Sequence, residues 1–161
     1  QCNATQMIKD HYGPPSLCVY DNKVSGAKTI GYGFNMETKA GRAIITSLGL
    51  DYDKLFFNQS CLTELDANAL LQADLVIDVF RVVTDIGDNY TELCCPVANA
   101  LVDAYHNVSS LAMDYRKFRP AIAQINAKNY SKAADMIQSS AWCNISVPDC
   151  ADDVAAVRKG C

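Results

Sequence analysis

Basic residues are in the minority. Lys and Arg number 14 against 18 Asp and Glu, which leaves a formal net charge of −4 over 161 residues. Binding to a phosphate backbone needs a clustered basic face, so no nucleic acid is expected as a partner. The same charge disfavours an anionic membrane surface. Long apolar runs are missing as well. None approaches the ~20 residues that a spanning helix requires, so no membrane insertion is expected. Histidine is scarce: only His11 and His106 are present, and there is no C-x₂-C pair. The ligand spacing of a zinc site is therefore absent, and neither a metal nor another cofactor is expected. Repeats, linkers and low-complexity runs are also lacking. With 50% hydrophobic and 20% charged residues, the chain reads as one globular domain spanning 1–161.

What is abundant is cysteine. Cys2, Cys18, Cys61, Cys94, Cys95, Cys143, Cys150 and Cys161 form an even set in a small chain, the pattern of a disulfide framework in an oxidising compartment. Adjacent cysteines fit disulfide geometry poorly, so Cys94 and Cys95 are expected to take two different partners. Cys143 and Cys150 flank a short Pro-containing turn beside Trp142 and are expected to pair locally. Sequons of the N-x-[ST] type occur at Asn3, Asn58, Asn89, Asn107, Asn129 and Asn144. Cysteines and sequons together predict a secreted, extracellular glycoprotein, with Gln1 read as a mature amino terminus after cleavage.

The pattern along the chain predicts α+β architecture, mainly α. Gln6–His11 reads as a short helix before the breaker Tyr12-Gly13-Pro14-Pro15. Residues 17–20 form a strand candidate, 21–26 carry turn chemistry, and Thr29–Phe34 reads as the return strand. Its two glycines suggest a bulge or close approach of a ligand to the backbone. A short helix follows over Ala40–Leu48. Thr63-Glu64-Leu65-Asp66 resembles a capping box, with Asp in the place of the usual Glu or Gln, and it opens a long helix that Gly87 ends. Pro96 sits near the start of the next helix. Further helices are expected over Tyr115–Ile125, Ser131–Ser139 and Asp152–Lys159. The long helix should join a small hairpin lobe to a helical lobe, with a cleft between them.

Several of these segments are familiar. Thr29-Ile30-Gly31-Tyr32-Gly33 resembles the T-I-G-Y-G strand of the phage-type lysozymes, glycoside hydrolase family 24. In the same order along the chain, Gly33-Phe34-Asn35-Met36 is similar to the family's G-F-N-L variant. Leu62-Thr63-Glu64 with Ala69-Leu70-Leu71 resembles its long-helix start, and Ala100-Leu101-Val102-Asp103 with Asn107-Val108 resembles its A-L-V-D-x-x-F-N-L-G helix. Ala133-Ala134 and Ser139-Ser140-Ala141-Trp142 resemble its A-A…S-x-W segment, and the cysteine-bearing carboxyl end looks like an animal branch. The resemblance implies a lysozyme-like fold and recognition of β-1,4-linked N-acetylglucosamine and N-acetylmuramic acid.

The family's acid is a Glu in an E-G pair after the first helix, and here Tyr12 stands before Gly13 instead. A phenol, with an ordinary pKa near ~10, is a poor proton donor to a glycosidic oxygen at neutral pH. Chitin oligosaccharides or bacterial peptidoglycan are therefore expected as ligands of a lectin whose hydrolysis is lost or weak. The resemblance places Tyr12, Thr29, Gly33, Phe34 and Asn107 at the sugar. The alternative is an active secreted lysozyme with a shifted acid, using Asp10, Asp21 and Thr29, with Asn22 competing for the place of Asp21. Plainer roles stand beside these: hinge packing for Tyr12, turn formation for Asp21 and Asn22, β-propensity for Thr29, a surface or core position for His106, and the core for Trp142. A glycan on Asn107 would fill the cleft, so that sequon is expected to be unused. A lectin that crosslinks cells needs several sites, which makes a homo-oligomer possible.

Overall fold

A computed structural model describes residues 2–161; Gln1, with its reading as a mature terminus, lies outside the described residues. The architecture is α+β and mainly α, a three-stranded antiparallel sheet followed by a helical body. Helix α1 (Thr5–Tyr12) ends at Gly13, whose φ of 70° few other residues adopt. Strand β1 (Ser16–Asp21) pairs with β2 (Lys28–Gly31). The turn between them is held by the Asn22 side chain, which accepts from the backbone nitrogens of Val24 and Ser25 at 2.9 and 3.0 Å.

The expected single return strand is in fact two. Gly31 and Gly33 have φ of 66° and 70°, so the chain turns back at Tyr32-Gly33 into β3 (Phe34–Asn35), which pairs with β2. Helices α2 (Lys39–Ser47) and α3 (Tyr52–Phe56) follow, capped by Thr38 and Asp51; α3 is too short to show a period in the sequence. Helix α4 (Glu64–Ile86) opens with the anticipated capping box: Thr63 Oγ1 accepts from Asp66 N, and Asp66 accepts from Thr63 N, each at 3.1 Å.

Helix α5 (Cys95–Ser110), with Pro96 in its first turn, is buried on nearly every side. It packs against α4 on one flank and against α9 (Val147–Lys159) on another. Between them lie α6 (Arg119–Asn126), α7 (Tyr130–Gln138) and α8 (Ala141–Ile145). The helix expected over Tyr115–Ile125 is split: Tyr115–Phe118 is a 3₁₀ turn, and α6 starts beside Pro120, which has no backbone N–H to bond backwards. Helix α9 begins five residues before its expected start, at Val147, with Pro148 in its first turn. Trp142 lies in the core, edge-to-face with Phe118 at 6.0 Å.

All eight cysteines are paired: Cys2–Cys95, Cys18–Cys61, Cys94–Cys161 and Cys143–Cys150. The adjacent pair does take two partners, and Cys143–Cys150 is local. Among the described residues, no helix is long and apolar enough to cross a membrane.

Candidate functional site

A cleft of about 470 Å³ opens where the end of the sheet and the start of α2 face α4 and the end of α5. Gly33, Asn35, Thr38 and Gly41 form one wall. Asp74, Ile77, Asp78 and Arg81 form the other, joined by Ser109, Ser110 and residues 112–116. The α4 residues fall at i, i+3, i+4 and i+7, so a single helical face supplies the wall.

The floor is charged. His106 is 1% exposed. Its Nδ1 lies 2.9 Å from Asp78 Oδ2, and its Nε2 lies 2.9 Å from the Tyr32 carbonyl. Both partners are acceptors, so both ring nitrogens must donate and the ring is an imidazolium. Burial alone would lower its pKa, but the hydrogen bond and charge of Asp78, with the charge of Asp74, outweigh that and raise it to about 9. Asp74 stands 3.7 Å from His106 Nδ1 with a quarter of its side chain exposed. Burial, helped by the charge of Asp78 and opposed by His106 and Arg81, raises the Asp74 carboxyl to about 7. Arg81 completes this wall: its Nη1 donates to Ser109 Oγ at 2.9 Å, and its guanidinium lies 4.9 Å from the centre of the Tyr115 ring.

Tyr12 seals the back of the wall. Its ring meets His106 edge-to-face at 5.8 Å. A Cβ on Gly33 would collide with the Tyr12 hydroxyl and come within 2.6 Å of Ser110 Oγ. The close approach at Gly33 is therefore made by the protein's own side chains. Burial, only partly offset by a hydrogen bond with Ser110, pushes the phenol far above its ordinary value.

Of the other residues expected at the sugar, Thr29 is fully buried and donates to the Ala27 carbonyl at 3.0 Å. Phe34 is in the core, and Asn107 is 4% exposed. The residues of the shifted-acid alternative are not brought together. Asp10 accepts from Gln6 Nε2 at 2.7 Å on an exposed helix face, and Asp21 pairs with Lys28 Nζ at 2.8 Å out on the hairpin. Asn107, too buried to carry a glycan, differs from Asn3, Asn58, Asn89, Asn129 and Asn144, which are exposed.

A second ionic cluster lies on the far side of Tyr12. His11 Nδ1 contacts both oxygens of Asp103, at 3.1 and 3.0 Å, and its Nε2 lies 2.9 Å from Asp152 Oδ2. The Asp103 hydrogen bond, opposed by burial and aided by the other carboxylates, raises His11 to about 9. Asp103 and Asp153 are both fully buried. Neither oxygen of Asp153 meets a hydrogen-bond partner among the described residues. Burial first, and then Asp103, push the Asp153 carboxyl well above the ordinary carboxylate range. Burial raises the Asp149 carboxyl, opposed by His11 and by the nearby Asn107 amide, yet the Asn107 Nδ2 makes no well-formed hydrogen bond.

The sequence reading missed Asp74, Asp78 and Arg81. The D-x-x-x-D spacing at Asp74 and Asp78 was the available signal, because it places both carboxylates on one helical face. Among the described residues, no cluster of three or more His, Cys, Asp or Glu is arranged to hold a metal ion. Compared with known proteins, the chain matches no family model and no curated protein.

Proposed function

We propose that the protein binds β-1,4-linked glycans containing N-acetylglucosamine, such as chitin oligosaccharides or peptidoglycan, in the cleft between sheet and helices. Hydrolysis by the lysozyme route is lost or weak. The observation that carries this reading is Tyr12: where the resembled family places its acid, a phenol is sealed against Gly33 and Ser110 behind an open polar cleft. Ground-state contacts need no acid, so binding survives this exchange and proton transfer does not. The cleft volume suits several sugar units' polar groups and one or two rings. Asn35, Arg81 and Ser109 offer hydrogen bonds. The four disulfides and the exposed sequons support a secreted protein, and crosslinking of cells would require a homo-oligomer.

The test is paired. Calorimetry with chitin oligomers of increasing length should show affinity rising with length, and reducing-end release on the same samples should show little cleavage. Affinity that is flat with length, or untouched by Arg81→Ala, overturns the reading.

One observation favours a second reading, an active hydrolase. Asp74 offers the cleft a carboxyl that is still protonated near pH 7. Acid catalysis by Asp74 would decline as pH rises through about 7 and vanish in Asp74→Asn. Cleavage at ordinary lysozyme rates with that profile would establish it.

A further inference from the structure

Helix α4 has two working faces. Asp74, Ile77, Asp78 and Arg81 line the cleft; Gln72, Leu75, Val76 and Val79 line a separate groove of about 560 Å³. At ~100° per residue the two sets lie on opposite sides of the helix. The groove is largely apolar, walled by Leu75, Val76, Val79, Tyr90, Leu93 and Val102, and Val76 is 71% exposed. An open apolar groove on a small protein calls for a cover.

The sequon at Asn3 lies on its rim. Asn3 lines the groove and is exposed. Its Oδ1 accepts from the backbone nitrogen of Thr5 at 2.9 Å, which fixes the side chain, and its Nδ2 meets no acceptor among the described residues. The contrast with two other sequons is direct. Asn89 Nδ2 is turned to Asn126 and Asn129 Nδ2 to Gln124. Thr5, the third residue of the Asn3 sequon, is itself tied to the groove, since its hydroxyl accepts from Gln72 Nε2 at 3.1 Å.

We propose that Asn3 carries an N-linked glycan whose first N-acetylglucosamine units lie in this groove, so that the chain's own sugar covers the outer face of α4. The donor is a polyprenyl-pyrophosphate-linked oligosaccharide. A bond forms between Asn3 Nδ2 and C1 of the first sugar, the C1–O bond to pyrophosphate breaks, the amide gives up one proton, and polyprenyl pyrophosphate leaves. The amide keeps its oxygen as the acceptor for Thr5 N. Pyranose rings have an apolar face and the acetyl group a methyl, both suited to Tyr90 and the Val and Leu walls. The position on the far side of α4 leaves the cleft free.

The experiment uses the protein secreted from a eukaryotic host. Peptide mapping should find Asn3 occupied. Endoglycosidase should release that glycan roughly tenfold more slowly from native than from denatured protein, because access requires opening of the covered state. Asn3→Gln should increase binding of an apolar fluorescent dye, whereas Thr5→Ser, which keeps the sequon, should not. An unoccupied Asn3 overturns the proposal. So does a glycan released equally fast from native and denatured protein with dye binding unchanged in Asn3→Gln. A glycosylated protein that is dimeric, and that Val76→Glu makes monomeric, assigns the groove to a second copy and overturns it too.

Discussion

The two histidine–aspartate clusters share one chemistry and differ in where their excess charge goes. Helix α5 feeds both, with Asp103 and His106 one turn apart along it. In each, an imidazolium is bound by a buried carboxylate, and each holds more carboxyls than the ring can neutralise: Asp74 beside Asp78 around His106, and Asp149, Asp152 and Asp153 beside Asp103 around His11. Around His106 the surplus group is Asp74, which opens onto the cleft. Around His11 the deepest is Asp153, which is sealed in, with burial and Asp103 pushing its carboxyl upward. Access to the cleft, rather than the kind of ion pair, separates the two clusters. His106 and Asp78 are themselves almost fully buried, while the His11 cluster borders solvent through the largely exposed Asp152.

The largest effect expected from breaking this comparison is at His106. Removing one partner of a buried ion pair typically costs about 3–5 kcal/mol, because the other charge stays buried. His106→Ala should lose that much in denaturant unfolding. His11→Ala should lose a fraction of it, because water can reach the vacated position. Equal losses would mean that the two sites are equally sealed.

The next effect is a pH dependence. Both histidines have folded pKa values raised above the ordinary 6.5 to about 9. Their stabilisation is therefore complete below about 6.5 and lost as pH rises through about 9. The Asp74 carboxyl, raised from 3.8 to about 7, acts in the same direction over a lower range, its ionisation costing stability as pH rises. Melting temperature should fall steadily from mildly acidic to alkaline pH, and His106→Ala should flatten the upper part of the curve.

A smaller gain is expected from Asp153→Asn. Burial and Asp103 oppose ionisation of the acid, whereas an amide of the same size stays neutral and brings a donor to the site, and one hydrogen bond is worth about 1 kcal/mol. Thermal unfolding above neutral pH should show the variant to be the more stable; a loss would mean that Asp153 is not protonated. The smallest effect is Arg81→Ala on glycan affinity, about three- to tenfold by calorimetry, the value of one rim hydrogen bond.

Legibility in the sequence followed the range of the interactions. Helix α4 was readable because its capping box and its Gly87 stop lie within a few residues of the helix ends. The division of Cys94 and Cys95 between two partners was readable because it follows from bond geometry alone. The turn at Tyr32-Gly33 was not: glycines in a strand signal either a bulge or a reversal, and the choice is made by the packing of Tyr12 and Ser110 against Gly33. The clusters were hidden for a related reason. His106 finds Asp78 28 residues away, and His11 finds Asp103 92 residues away, so the local pattern shows two lone histidines and scattered acids. The expected sugar contacts Thr29, Phe34 and Asn107 lie inside the protein because their faces are set by the sheet and by α5, which local patterns do not place.

The adjacent cysteines have a mechanical consequence. Cys95 holds Cys2, and its neighbour Cys94 holds Cys161. A pulling force entering at Cys2 and leaving at Cys161 would pass through two sulfur bridges and one peptide link, bypassing every helix and strand. Stretched between those points, the oxidised molecule would transmit tension without yielding; reduction of either bridge would throw the load onto the fold.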